Sequence, residues 1–403
     1  MRRGTLATLL ALPDFLPLAV IVLAHGAAMA SAMPYITLFA TQEAGMDPLR
    51  LGVFMTTIAL SGIAMSAAFG RAFDRRDSRR PIVLATLVLA AAAYVALAFA
   101  RDYRLLLAIA ALLLGAPAAA FPQVFALAKE RLDGHAERGI TALRSVFSLA
   151  WVFGPPAGAL LLARADFQGL YLTTAALLLL AAAPLARLRP AATVARAAPP
   201  GGNILEADAP SRPVVPVALA FAVYGMANSM AAIALPLHVT LNLGGSRADV
   251  GLLVALGALL EIPFMLAIAL YPGRLPAEGL IILAFALFGA YALGAALAPG
   301  LLALAAVQGV RAVVIAITAT LGMTYFHSLM PGRVGSATAL FMNTTAAGQV
   351  LAGVAAGAFA QALGFQAVFY LCAAITAAAC LLLLRVSRLA PANPVVEAPA
   401  TSS

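Results

Sequence analysis

Long apolar runs separated by short polar interruptions make up most of the chain. A membrane crossing takes roughly 20 apolar residues, and on that ruler the runs fall at about 15–39, 50–69, 81–100, 105–127, 140–162 and 168–186, then at about 214–240, 249–271, 278–297, 301–327, 334–360 and 365–385. Two tracts break the rhythm. Residues 188–213 are rich in Pro, Ala and Gly and too polar to span, so they predict a linker; residues 386–403 predict a disordered tail. The pattern therefore predicts an all-α polytopic membrane protein with twelve transmembrane helices in two six-helix bundles, 1–187 and 214–385. Arg2-Arg3 and the apolar stretch behind them imitate a secretory signal peptide, but Asp14 and Pro17 interrupt it and more spans follow, which predicts an uncleaved first helix.

Composition narrows the class. Hydrophobic residues make up 63% of the 403 positions, against about 45 to 50% in soluble domains. The net charge of +9 does not point to nucleic acid, because the arginines sit in short loops between apolar runs. Their distribution sets an orientation instead. With the N-terminus inside, only Arg50, Arg101, Arg104, Arg164 and Arg247 fall on the outer side, against eighteen arginines and lysines on the inner side, so both termini are expected in the cytoplasm. Lys129 is the only lysine, which excludes the GxxxxGK[ST] phosphate loop of nucleotide-driven pumps. Cys372 and Cys380 both fall in the last apolar run and predict buried packing residues, not a metal set or a disulfide framework.

The segment Gly70 to Arg80, GRAFDRRDSRR, carries five arginines and two aspartates in a chain that is only 10% charged. It predicts a loop. The spacing Gly70, Asp74-Arg75, Arg79-Arg80 resembles the loop between the second and third helices of the major facilitator superfamily. There Gly lets helix ends approach, Asp accepts from a helix N-terminus, and arginines hold to the anionic cytoplasmic face, forming a breakable gate. An ordinary positive-inside loop is the competing reading. The halves also match at an offset near 199 residues: Gly45 to Gly52 with Gly244 to Gly251, and Gly158 with Gly357. Paired halves with a substrate site at mid-depth are what that resemblance implies. Gly154-Pro155-Pro156-Ala157-Gly158 resembles the GPxxG signature of the superfamily's antiporters and supplies small residues four apart for helix contact. A packing proline kink reads the same residues equally well.

Ionisable groups at mid-membrane are costly and mark functional candidates. Glu261 lies about 18 Å into the eighth helix and Arg311 about 15 Å into the tenth from the same face, so the two share a depth. They are candidates for proton coupling, Glu261 as the carrier and Arg311 as its charge partner, with a static ion pair as the alternative. His25, near the middle of the first helix, is a further proton or substrate candidate, or a packing residue. Arg144 can line a cavity or snorkel. Gln123, Asn228, Gln308, Asn343 and Gln349, with Trp151, Tyr224 and Tyr325 nearby in sequence, suit a hydroxylated uncharged ligand, because planar amides fork onto hydroxyls and rings cover apolar sugar faces.

Longer strings sharpen the resemblance. Pro122 to Glu130, Ser148 to Pro156, Leu260-Glu261-Ile262-Pro263, and Leu329 to Arg333 through Leu340 to Asn343 are similar to the bacterial sugar efflux transporter family over nearly the whole twelve-helix region. The resemblance implies proton-linked export of sugars and glycosides of the lactose, glucose or galactoside type across the inner membrane by alternating access. It also implies a monomer in the lipid bilayer that works without cofactor or metal. Gln123, Arg144, Trp151, Asn228, Glu261 and Asn343 stand at positions matched to that family; Gln349 joins the substrate candidates, and Gly70, Asp74, Arg75, Arg79, Arg80, Gly154, Pro155 and Gly158 the gating ones. A drug or amino-acid exporter on the same fold is the alternative. An enzyme would need HExxH, GxSxG or a clustered nucleophile and base, and none is present.

Overall fold

The computed structural model describes residues 12, 14–75, 79–132, 135–188, 213–270 and 277–389. Within them the chain forms helices α1 (Phe15–Ala32), α2 (Pro48–Arg75), α3 (Arg80–Phe99), α4 (Tyr103–Leu112), α5 (Ala116–Arg131), α6 (Ala136–Ala182), α7 (Val214–Leu237), α8 (Arg247–Leu270), α9 (Ala277–Leu297), α10 (Leu301–Leu329), α11 (Val334–Leu363) and α12 (Phe365–Leu389), and no strand. Most of the linker, from 189 to 212, and the tail from 390 lie outside the described residues. Helix α12 runs to Leu389, past the expected start of the tail at 386, because Arg385 and Arg388 are good helix formers that extend the last turns beyond the apolar run.

Among the described residues, eleven helical stretches are long and apolar enough to cross a membrane. Helices α4 and α5 together make one of them, Tyr103–Arg131, interrupted at Leu113 to Gly115. Pro117 opens α5 in its first turn, where a missing N–H costs nothing. Ser61 of α2 donates to the Ala111 carbonyl left over at the end of α4, at 2.8 Å. Helix α6, at 47 residues, would reach about 70 Å, more than twice the hydrocarbon thickness. It breaks at Ala165 and Asp166, the latter at φ 53° and ψ −169°. That break, and not Pro155-Pro156, divides it into two arms, which accounts for eleven apolar stretches where the sequence predicts twelve crossings.

Helices α1 to α6 pack among themselves, with α1 and α3 against α6, and α2 and α3 against α5. Helices α7 to α12 do the same, with α7 against α11 and α12, α9 against α10 and α12, and α8 against α10. The repeat seen in the sequence is visible in the backbone. The first span continues past its expected end at Phe39 through a π-helical turn, Phe39–Glu43, and leaves it at Gly45 with φ +61°. The seventh span ends in the same way through His238–Asn242 and Gly244 at φ +64°, again 199 positions on. Glycine is needed at both exits because only it enters the left-handed region without cost.

Candidate functional site

The two groups of helices touch along two seams, α2 with α11 and α6 with α8, and both seams lie at the end of the molecule that carries the 44–47 and 243–246 connections. In the first, Gly52, Gly353 and Gly357 bring backbone against backbone: a Cβ on Gly52 would stand 2.5 Å from the Gly353 carbonyl oxygen. Thr56 is inserted into α11, donating to the Val350 carbonyl at 2.9 Å and accepting from the Val354 N–H at 3.0 Å. In the second, Tyr35 donates from its hydroxyl to the Pro155 carbonyl at 2.6 Å, and Gly251 of α8 packs onto that same pair. Arg247 crosses between the groups with a forked contact to Gln42 Oε1, at 3.1 and 2.9 Å, and lies over the Phe167 ring at 4.7 Å.

Away from this sealed end the halves part. One face of α6 passes from buried Pro155 through half-buried Trp151 to exposed Ser148 and Arg144. The seam face of α11 passes likewise from buried Gly357 through Val350 to exposed Asn343, and that of α2 from buried Gly52 through Thr56 to exposed Leu60, Ile63 and Ala67. On α8, Gly251 is buried whereas Ile262 to Ala267 are all exposed. Beyond the seams these four segments are exposed, so the halves part there and leave a cleft that starts at the sealed end.

Several candidates gather about that cleft. A Cβ on Gly257 of α8 would stand 3.5 Å from Arg311 Nη1 and 3.7 Å from Gln308 Oε1, so this glycine admits two polar side chains of α10 one turn from Glu261. Glu261 and Arg311 interact through their charges. They make no direct ion pair; among the described residues the ion pairs are Arg50–Asp47, Arg79–Glu130, Arg101–Glu43 and Arg131–Asp14. Both charges also act on Tyr224 of α7, which hydrogen-bonds Thr318 at 3.3 Å. One turn on, Asn228 Oδ1 is buried with no hydrogen-bond partner, as are both polar atoms of Gln308. Asn343 and Gln349 are exposed on α11, and Gln123 is buried on α5 beside the internal Pro122.

The structure does not bring His25 to Glu261. Its ring is 2% exposed and stacked at 6.4 Å on Phe147, between α1 and the first arm of α6. The gating candidates also divide. Gly154 and Gly158 are close-contact positions, where a Cβ would meet Ala30 in one case and Ser31 and Tyr35 in the other. Gly70 is not: a Cβ there meets nothing within 4 Å, so no close approach of helix ends requires glycine at this position. The segment is also helical as far as Arg75, with arginines carrying α2 beyond its apolar stretch, so the loop expected from Gly70 is helix at least to that point, and residues 76–78 lie outside the described residues. The side chains of Asp74 and Arg75 lie outside the described residues. Arg79 pairs at 3.1 Å with Glu130 of α5, within its own half, and Arg80 opens α3. Sequence reasoning missed Glu130, Asp14 and the seam residues Tyr35, Gln42, Thr56 and Arg247. The one signal for the seams was the repeat, whose matched glycines Gly52 with Gly251 and Gly158 with Gly357 all sit in or beside them.

Two groups of apolar, membrane-length helices, sealed at one end and parted at the other, define a polytopic membrane protein with the build of a transporter. The sequence profile of the Major Facilitator Superfamily matches residues 18–215 and 217–402. A Deinococcus radiodurans protein provisionally named a sugar efflux transporter is 45% identical over 377 residues, covering 91% of this chain and 96% of its own. Sugar efflux transporter A of Escherichia coli is 32% identical over 366 residues, covering 90% and 93%. The same-named protein of Dickeya chrysanthemi is 33% identical over 390 residues, covering 93% and 96%. The chain belongs to the sugar efflux transporter family of the Major Facilitator Superfamily. Its fold matches the nucleoside transporter NupG at TM-score 0.76 and 15% identity, over 93% of this chain and 99% of that one. It also matches an inward-facing bacterial homologue of the lysosomal transporter Spinster at TM-score 0.72 and 12% identity, over 94% and 98%.

Proposed function

We propose that the protein exports sugars or small glycosides of the lactose, glucose or galactoside type across the bacterial inner membrane, in exchange for protons. The carrying observation is the cleft: four helix faces open together from a sealed end onto Glu261, Arg311, Asn228 and Asn343. The names of the relatives support sugar as the cargo. Unspent amide capacity at Asn228 and exposed Asn343 and Gln349 suit hydroxyl groups, and Trp151 offers an apolar sugar face its ring. Residues 1–187 and 214–385 act as two bundles that rock about the seams, with both termini cytoplasmic, so that the open end faces the cytoplasm. Glu261 takes up the proton at the stage when its charge is not held by Arg311. Arg79, Arg80 and the loop before them latch the open end when it closes. A monomer suffices, since each chain holds both halves of the cleft.

The test is uptake of radiolabelled lactose and glucose into inverted membrane vesicles, with and without a proton-motive force directed out of an acidified lumen, in wild type and Glu261→Gln. Proton-driven accumulation that is lost in the variant is expected. Accumulation of neither sugar refutes the substrate, and undiminished proton-driven accumulation in Glu261→Gln refutes the carboxyl's role.

A further inference from the structure

Outside the cleft the described residues form a groove of about 520 Å³ on the perimeter of the first half, between α3 and the last turns of α6. Leu84, Val88 and Leu179 make its apolar wall, buried Leu185 and exposed Ala183 and Ala186 line it from the turn after α6, and Arg80 lines it at the start of α3. We infer that this groove binds one anionic phospholipid, with the phosphate on Arg80 and an acyl chain along Leu84, Val88 and Leu179.

Three observations carry the assignment. First, the three apolar side chains are 44%, 45% and 50% exposed, on helices apolar enough to cross a membrane, so their ordinary neighbour is hydrocarbon. Second, the dimensions fit a chain in one leaflet. Arg80 to Val88 spans about 12 Å of helix, against about 15 Å for half the hydrocarbon core. Arg80 is the first residue of α3, which places it at headgroup depth when Val88 lies within the core. Third, the charge at that mouth suits a phosphate. Arg80 lies close enough to Arg131 and Asp14 for their charges to act on it, Glu130 pairs with Arg79 and Asp14 with Arg131, and Arg187 ends the turn that lines the groove, so basic groups outnumber these two acids at this mouth. Arg80 keeps its protein contacts, since a guanidinium has five donors and a phosphate needs only a fork of two.

The site has a structural consequence. Arg80 begins α3 and the turn Ala183–Arg187 ends the sixth span, so a bound headgroup fastens these two element ends to one another.

Native mass spectrometry of the full chain in detergent, titrated with dioleoyl phosphatidylglycerol or dioleoyl phosphatidylcholine, tests the assignment. One arginine at a membrane surface gives about a fivefold preference for the anionic lipid at the first bound molecule. Arg80→Gln is expected to abolish that preference. Val88→Trp, which fills the apolar wall and leaves the charge in place, is expected to remove the tight first site. Equal affinity for both lipids in the wild type overturns the assignment. So does full retention of the preference in either variant, because the headgroup or the chain then lies elsewhere.

Discussion

A single methyl group at Gly357 puts the glycine seam under a defined load. Built on the backbone, its carbon stands 2.7 Å from Gly52 Cα and 3.0 Å from Gly52 N, and in contact with the Pro48 carbonyl. Carbon atoms rest at about 3.5 to 4.0 Å, so α2 and α11 must separate by about 1 Å to admit it. The neighbours are backbone atoms of a helix and cannot turn aside as a side-chain end does. Overpacking of this kind costs about 1–3 kcal/mol, and 2 kcal/mol is roughly a 30-fold change in an equilibrium. The load falls only on the sealed arrangement, so Gly357→Ala is expected to shift the population toward parted seams by about that factor. Spin labels at Arg104 and Leu363, both exposed and on different halves, report the separation by pulsed dipolar spectroscopy. Wild type should give one short distance, and the variant a second, longer one that dominates. Gly70→Ala, where the added carbon meets nothing, serves as the control. An unchanged distance distribution in Gly357→Ala would show that the seam is not held by backbone contact and refute the reasoning.

Other consequences are open to measurement. Tyr35→Phe removes the 2.6 Å bond to the Pro155 carbonyl, which lies within the first half, and should cost about 1 kcal/mol of stability, read as a lowered thermal midpoint with the label distances unchanged. Thr56→Val loses two hydrogen bonds to α11 at once and should exceed it, at about 2 kcal/mol. Asp166→Gly places the permissive residue where φ is 53°, relieves about 1 kcal/mol of strain, and should raise the thermal midpoint of the purified protein; a lowered midpoint would contradict it. If Glu261 carries the proton, sugar efflux by Glu261→Gln should no longer vary with pH, whereas wild-type efflux does.

The spans were legible because hydrocarbon thickness imposes one length on every crossing, so counting apolar residues locates helices without any knowledge of their partners. Depth was legible for the same reason. A fixed rise per residue put Glu261 and Arg311 at one level, and the structure places Arg311 against Gly257, one turn along α8 from Glu261. Contacts between halves were not legible, since Thr56 and Val350 are 294 positions apart and nothing local marks either one. A glycine's role is equally non-local: Gly70 and Gly357 look alike in the sequence, yet one faces open space and the other a neighbouring backbone. His25 and Glu261 are both lone ionisable residues in apolar runs, and only packing shows that one ring is stacked on Phe147 while the other group borders the cleft. The break at Ala165-Asp166 was legible as the gap between the runs at about 140–162 and 168–186, whereas Pro155-Pro156 does not interrupt the helix, which absorbs those prolines without leaving its dihedrals.

The two seams also say which variables the transport cycle can ignore. No ion pair crosses either of them among the described residues; Arg247, which does cross, meets neutral partners, Gln42 and the Phe167 ring. Salt weakens contacts between charges, over a screening length of about 8 Å at physiological ionic strength, and scarcely touches glycine backbones in van der Waals contact. Opening of the sealed end should therefore be nearly indifferent to ionic strength. What it responds to is the spacing of two helices, which makes bilayer tension and hydrostatic pressure, not salt, its natural controls.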